Sequence, residues 1–240
     1  MKAQTYEEAE RLLHSTSASE RRKAADLMHL LLEKEGEDAE FLWRYAMTLH
    51  MLVESLIREN SSSSSDIRSL QFQAFEYAEK AEKLAPDSAD VQQWLAQTKG
   101  GLTRFLPIKD KIRIGHEFKS HIEKALELRP SDARLRHLMG RWSFECSSLN
   151  WLERKMAALL FADPPSSTYH EALTHFQEAE KLAPSSSADN LLQMARTHSA
   201  LGQREAAKVS LHRALSAQTN TPEDRIALQE AKQMAKSLLS

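Results

Sequence analysis

From Phe41 onward the apolar residues return every three or four positions, at Phe41, Leu42, Tyr45, Ala46, Leu49 and Leu52, with polar residues between them. That is the period of a helix with one buried face, and Asp38 stands where a helix cap belongs. The same rhythm predicts helices over 6–15 and 18–35, the second closed by Gly36, and a third helix ending near Asn60. Further along, Pro164 and Pro165 interrupt the pattern, because proline lacks the backbone N–H and disfavours a helical residue before it. Thr168 and Glu171 then stand in capping-box spacing and open the next helix. Few β-branched runs occur, and no sheet is expected.

The boundaries recur in register. Gly36, Pro86, Pro130 and Pro184 are each followed three or four residues later by an alanine (Ala39, Ala89, Ala133, Ala188), and seven residues beyond that by a small residue (Ala46, Ala96, Gly140, Ala195). Twelve residues before each terminator stand Ala24, Ala74, Phe118 and Ala172, where one helix would cross its neighbour. Ala172, Phe176, Ala179 and then Pro184 have the spacing of the second helix of a tetratricopeptide repeat. The terminators lie 50, 44 and 54 residues apart, longer than a consensus unit of about 34. The surplus falls in the helix-to-helix turns. The first surplus holds the serines Ser61–Ser65, the second Lys99-Gly100-Gly101, and the third an extra amphipathic helix over 150–161 with Leu152, Met156, Leu159 and Leu160 inward. Leu201-Gly202 marks the turn of the last unit, and Thr221-Pro222-Glu223-Asp224 starts a capping helix. The expectation is an all-α, tetratricopeptide-like α-solenoid of eleven or twelve helices, one helical-repeat domain over 1–240, with a mobile serine loop at 60–66. The serine run reads either as a plain linker or as a site of phosphorylation.

Composition narrows the function. The chain is 41% apolar and 28% charged, with six glycines and seven prolines, a balance that favours helices. No segment reaches the roughly 18 uninterrupted apolar residues of a membrane span, and the opening MKAQTYEEAE is too acidic for a secretory or mitochondrial leader. A soluble, cytoplasmic protein without a transmembrane anchor is expected. Cys146 is the single cysteine, which excludes disulfides within the chain and multi-cysteine zinc sites. His116-Glu117 with His121, and His170-Glu171 with His175, imitate a zinc-protease motif, but their histidines are five apart rather than four. Five residues separate the rings by roughly 140° around a helix, so no metal site is expected. With no Gly-rich phosphate loop, nucleophile elbow or paired-cysteine motif, neither a cofactor nor an enzyme activity is expected.

Charge is uneven. Residues 1–98 carry a net −7, 99–141 a net +6 and 142–240 a net −1. The basic stretch places Arg104, Lys109, Lys111, Arg113 and Lys119 around one insertion and the helix after it, and Arg134, Arg136 and Arg141 on the next helix. Such a patch attracts an acidic polymer or an anionic lipid surface at long range; it is also what an ordinary solvated helix surface looks like. Nucleic acid is not expected, since aromatic residues do not interleave the patch and the isoelectric point lies near 6.6. Trp142, Phe144, Trp151 and Phe161 cluster around the largest insertion. They read as helix-packing core or as an apolar groove for a lipid tail or an anchoring side chain.

Three strings carry a family resemblance: KIRIGHEFKSHIEKALELRPSDA from Lys111, HLMGRW from His137, and WLERKMAALLFADPPSSTYHEAL from Trp151, with a looser match at EDAEFLWRYA from Glu37. They resemble the regulator of microtubule dynamics family of tetratricopeptide-like proteins, PPSSTYHEAL being the most specific part. The resemblance implies a non-enzymatic scaffold that associates with tubulin and microtubules at the spindle and its poles and serves chromosome segregation. Some relatives are anchored in the mitochondrial outer membrane and hold phospholipid in the concave repeat groove. Their N-terminal membrane segment and acidic, phenylalanine-rich tether motif have no counterpart here, so the resemblance carries over the repeat domain and not the tether. A lipid-binding module and a peptide-binding adaptor remain the alternatives.

Overall fold

A computed structural model describes the chain except residues 1, 36, 37, 150–153, 156, 157, 160–165, 220, 239 and 240. The described residues form eleven α-helices and one short 3-10 helix, with no strand among them. The helices are α1 Lys2–Leu13, α2 Ala18–Glu35, α3 Ala39–Glu59, α4 Ser64–Leu84, α5 Ala89–Gly101, α6 Ile108–Leu128, α7 Ala133–Ser148, α8 Tyr169–Leu182, α9 Ala188–Ala200, α10 Arg204–Ser216 and α11 Pro222–Leu238; the 3-10 helix Leu102–Phe105 follows α5. The chain divides into two compact units, Met1–Leu128 and Arg129–Ser240.

In the first unit α1 packs on α2, α3 on α4 and α5 on α6, and α3 also meets α5. Small residues make the crossings. Ala24, Ala46, Ala74, Ala78 and Ala96 are wholly buried, each letting a neighbouring helix approach where a larger side chain would hold it off. Asp38 and Ser88 cap α3 and α5 by accepting the N–H of Phe41 and Val91. Arg21, 1% exposed, fastens the α1–α2 turn to α3: its guanidinium donates to the Ser15 carbonyl at 2.7 Å, the Met51 carbonyl at 2.8 Å and the Ser55 hydroxyl at 3.0 Å. Gln71, also fully buried, donates to the Thr98 carbonyl at 2.6 Å and accepts from His50 at 3.2 Å, which joins α4 to both α5 and α3.

Two turns differ from the sequence expectation. Gly100 and Gly101 belong to α5 instead of the following turn. A β-carbon on Gly101 would stand 2.6 Å from the Gln71 amide, so this glycine serves a close crossing, and the surplus residues move to the 3-10 helix. The serine loop is likewise shorter than 60–66. Asn60 closes α3 in the left-handed conformation, Ser63 caps α4 by accepting the Asp66 N–H, and Ser64 and Ser65 lie in its first turn. Serine is a poor residue inside a helix but a strong one at its start, and Asp66 adds a carboxylate favourable to that end.

In the second unit α7 packs on α8 and α9 on α10, while α11 lies against α9 and α10. Ala172, Ala188, Ala195, Ala207, Ala214 and Ala231 are wholly buried, with Phe176, Leu191, Leu192 and Leu211 between them. Thr168 and Glu171 form the expected capping box. Gly202, at φ 71°, makes the α9–α10 turn in a conformation glycine adopts without strain. Asp224, 2% exposed, caps two helices: one oxygen accepts from the Ser187 hydroxyl at 3.1 Å and the Asp189 N–H at 3.3 Å at the start of α9, the other from the Thr221 hydroxyl at 2.7 Å at the start of α11. The extra helix expected over 150–161 lies mostly outside the described residues, as do Pro164, Pro165 and Gly36. Arg154, Lys155, Ala158 and Leu159 are helical, but Leu159 is 73% exposed and does not point inward.

Candidate functional site

The basic residues singled out in the sequence fall in both units. Arg104 lies on the 3-10 helix and Lys109, Lys111, Arg113 and Lys119 on α6, in the first unit; Arg134, Arg136 and Arg141 lie on α7, in the second. Ion pairs hold many of them. Arg104 makes a two-pronged pair with Glu54 of α3, one N–H to carboxylate contact being 2.9 Å. Arg113 stands 3.1 Å from Asp110 and 3.4 Å from Glu117, and Lys119 stands 3.5 Å from Glu123 on the same helix. Arg136 reaches Glu178 of α8 at 3.3 Å. Two more cations of the basic stretch are also paired, Lys99 with Glu117 at 3.0 Å and Lys124 with Asp87 at 3.4 Å.

Lys109 and Lys111, exposed in the first turn of α6, have no carboxylate partner among the described residues. Folding thus neutralises several cations of the basic stretch within the protein and leaves the charges of Lys109 and Lys111 facing water. Pairs on an exposed surface contribute only about 0–1 kcal/mol each, so an acidic partner can compete for the paired members as well.

On α7, Arg141 is exposed and its charge acts on Asp189 of α9. Asp189 is the most strongly perturbed carboxyl described. Burial pushes it up, but His137 at 3.1 Å, Arg141 and a hydrogen bond from Gln193 at 3.3 Å overcome this and hold it well below the usual carboxylate range. His137 also meets the Asn190 side-chain oxygen at 3.0 Å, and Asn190 donates to the Phe176 carbonyl at 3.0 Å. This polar cluster fastens α7 to α9 and to α8, and every polar group in it is engaged within the unit.

Of the four aromatics, Trp142 and Phe144 are half-buried on α7, and Phe144 packs against Tyr169 of α8 with ring centroids 5.2 Å apart. Trp151 and Phe161 lie outside the described residues. The zinc-like histidines have ordinary roles. His121 donates to Gln92 at 2.7 Å, and burial, aided by the Lys99 charge, lowers its pKa. His175 lies 3.8 Å from Glu178. Among the described residues no cluster of three or more His, Cys, Asp or Glu could hold a metal ion, and no helix is long and apolar enough to cross a membrane.

Comparison with known proteins agrees with the motifs. The family model "Regulator of microtubule dynamics protein 1-3" matches residues 5–239. The chain is 35% identical over 213 residues to the mouse protein named regulator of microtubule dynamics protein 1, covering 88% of this chain and 68% of that one. It is 36% identical over 213 residues to protein 3 of Xenopus laevis, covering 89% of this chain and 45% of that one. Against bovine protein 2 it is 35% identical over 208 residues, covering 86% and 49%. The chain therefore spans about half the length of its type 2 and type 3 relatives. Among solved structures, a thermophilic TPR protein from Thermus thermophilus superposes with a TM-score of 0.65, covering 97% of this chain and 100% of that one at 14% identity, which shows the tetratricopeptide-like fold alone.

Proposed function

The chain belongs to the regulator of microtubule dynamics family, and from that membership we propose that it is a microtubule-binding scaffold without enzymatic activity. It works from the cytoplasm on the cytoskeleton, at the spindle and its poles, and serves chromosome segregation. Its partner is tubulin, whose acidic tails meet the cationic surface of α6 around Lys109, Lys111, Arg113 and Lys119, with Arg104 beside it and Arg134, Arg136 and Arg141 as a second contact. The observation that carries the reading is the pair of exposed, unpaired lysines at the start of α6 in a chain whose relatives are named for microtubule dynamics.

Co-sedimentation with polymerised tubulin across a salt series tests it. Attraction between exposed charges weakens as the Debye length shortens from about 10 Å at 0.1 M salt, so the pelleted fraction should fall steeply with salt. Lys109→Glu with Lys111→Glu should remove most of it without altering the melting temperature, because neither lysine belongs to an internal ion pair. Reversing Arg204, Lys208 and Arg213 on α10 should do much less. Equal losses from both sets would reduce the contact to non-specific attraction. Undiminished pelleting of the lysine variant would discard the α6 site, and phospholipid co-purifying with a chain that does not pellet would put the apolar groove in its place.

A further inference from the structure

We propose that Ser64 and Ser65 form a phosphorylation site whose phosphate is received by Arg68. The proposal does not depend on the microtubule reading.

The five serines are not equivalent. Ser63 is committed to capping α4: its hydroxyl oxygen accepts the Asp66 N–H at 3.1 Å and its hydroxyl donates to the Asp66 carboxylate at 2.7 Å. Ser61 and Ser62 precede the helix: the Ser61 N–H donates to the Leu56 carbonyl at 3.1 Å at the end of α3, and the Ser62 hydroxyl donates to the Asp66 carboxylate at 3.4 Å. Ser64 and Ser65 are exposed and lie inside the first turn, four and three residues before Arg68, spacings that put side chains on one face of a helix. Ser65, Arg68, Ser69, Phe72, Gln73 and, eight residues beyond Arg68, the acidic Glu76 line one open hollow along that face. Arg68 itself is exposed, with its guanidinium 5.5 Å from the centre of the Phe72 ring. No carboxylate pairs with it among the described residues, unlike Arg44, Arg104 and Arg113 of the same unit. A guanidinium in this position, one turn from two exposed hydroxyls, is a ready partner for phosphate oxygens, which it binds through two parallel N–H bonds.

The donor is a nucleoside triphosphate held by a protein kinase. The serine Oγ attacks the γ-phosphorus, the new O–P bond forms as the bond to the β-phosphate oxygen breaks, the nucleoside diphosphate leaves, and the kinase takes up the hydroxyl proton. The product carries about two negative charges at neutral pH, set between Arg68 and the start of α4. Modification should therefore tighten the helix end that the serine turn leads into, where the unmodified run only caps it.

Two measurements decide the proposal. Mass spectrometry of the peptide spanning residues 59–68, from protein recovered from its own cells, should find phosphate on Ser64 or Ser65; finding none there would overturn the assignment. Phosphoserine installed at position 64 or 65 by genetic encoding should slow amide exchange in the first turn of α4 on the order of twofold to fivefold, and Arg68→Gln should remove most of that slowing. Slowing that persists undiminished in the Arg68→Gln chain, or no slowing at all, would show that Arg68 does not receive the phosphate. Arg68 is exposed, so its replacement leaves the fold intact and either result can be read.

Discussion

Gly140→Ala is the substitution for which the structure dictates a sign opposite to helix propensity. Alanine in place of glycine inside a helix ordinarily gains about 1 kcal/mol, since glycine loses more backbone freedom on folding. At position 140 the new β-carbon would stand 2.6 Å from two carbons of the Phe176 ring and 3.0 Å from a third. Carbon atoms in contact sit about 3.5–4.0 Å apart, so the ring must retreat by about 1 Å. It has nowhere to go. Phe176 is wholly buried, its carbonyl is held by Asn190, and the His137 ring lies 5.5 Å away. Overpacking of this kind costs about 1–3 kcal/mol, which offsets the propensity gain and leaves a net loss of up to about 2 kcal/mol. For a chain of this length that lowers the melting temperature by up to about 8 °C. Gly100→Ala is the control. Its β-carbon would approach Phe118 only to 3.3 Å, and that ring is half-buried and able to shift, so the propensity gain should survive and the protein should melt at the same temperature or higher. Urea denaturation of both variants, and of Gly140→Ala combined with Phe176→Leu, completes the comparison. The double variant should lose less than the sum of its parts. A Gly140→Ala protein at least as stable as the parent would show that the packing around Phe176 is not what sets the identity of residue 140.

Two further outcomes are expected. Ser63→Ala should cost about 1 kcal/mol by uncapping α4, whereas Ser61→Ala with Ser62→Ala should be silent in a urea melt. Asp189 has a folded pKa far below its unfolded one, near 3.9, so its contribution is complete above that value and is lost as pH falls below it, when the unfolded chain takes up a proton the native carboxylate refuses. An acid titration of stability should steepen below pH 4 by up to about 1.4 kcal/mol per pH unit from this group, and Asp189→Asn should remove that share of the slope.

What the sequence revealed and what it hid follow from the range of the interactions involved. The Thr168–Glu171 box, the cap at Asp38 and the turn at Gly202 each depend on residues within one helical turn, and all were legible. The buried alanines at 24, 46, 74, 96, 172 and 195 were legible because repetition marks them. Gly100 and Gly101 were misread as a turn since the reason for a small residue there, Gln71 and Phe118 on the facing helices, lies 30 and 18 residues away. The charge of the middle stretch was legible as a sum and not as a surface. Glu54 and Asp87, which neutralise Arg104 and Lys124, come from the acidic part of the chain, and only the packing of α3 to α6 brings them across. Arg21 gave no signal at all, because a buried arginine that bonds backbone carbonyls reads like a surface arginine until its partners are known.

The double cap at Asp224 bears on how the second unit comes apart. Helix pairs stacked in a row tend to fray one at a time from an open end, each losing only its neighbour's contact. Here one carboxylate accepts hydrogen bonds at the starts of α9 and α11 together, so α11 cannot peel away without leaving the Asp189 N–H of α9 and the Ser187 hydroxyl without their acceptor. Fraying from this end therefore begins as a concerted event that includes α9, and the C-terminal helix acts as a latch on the repeat it covers.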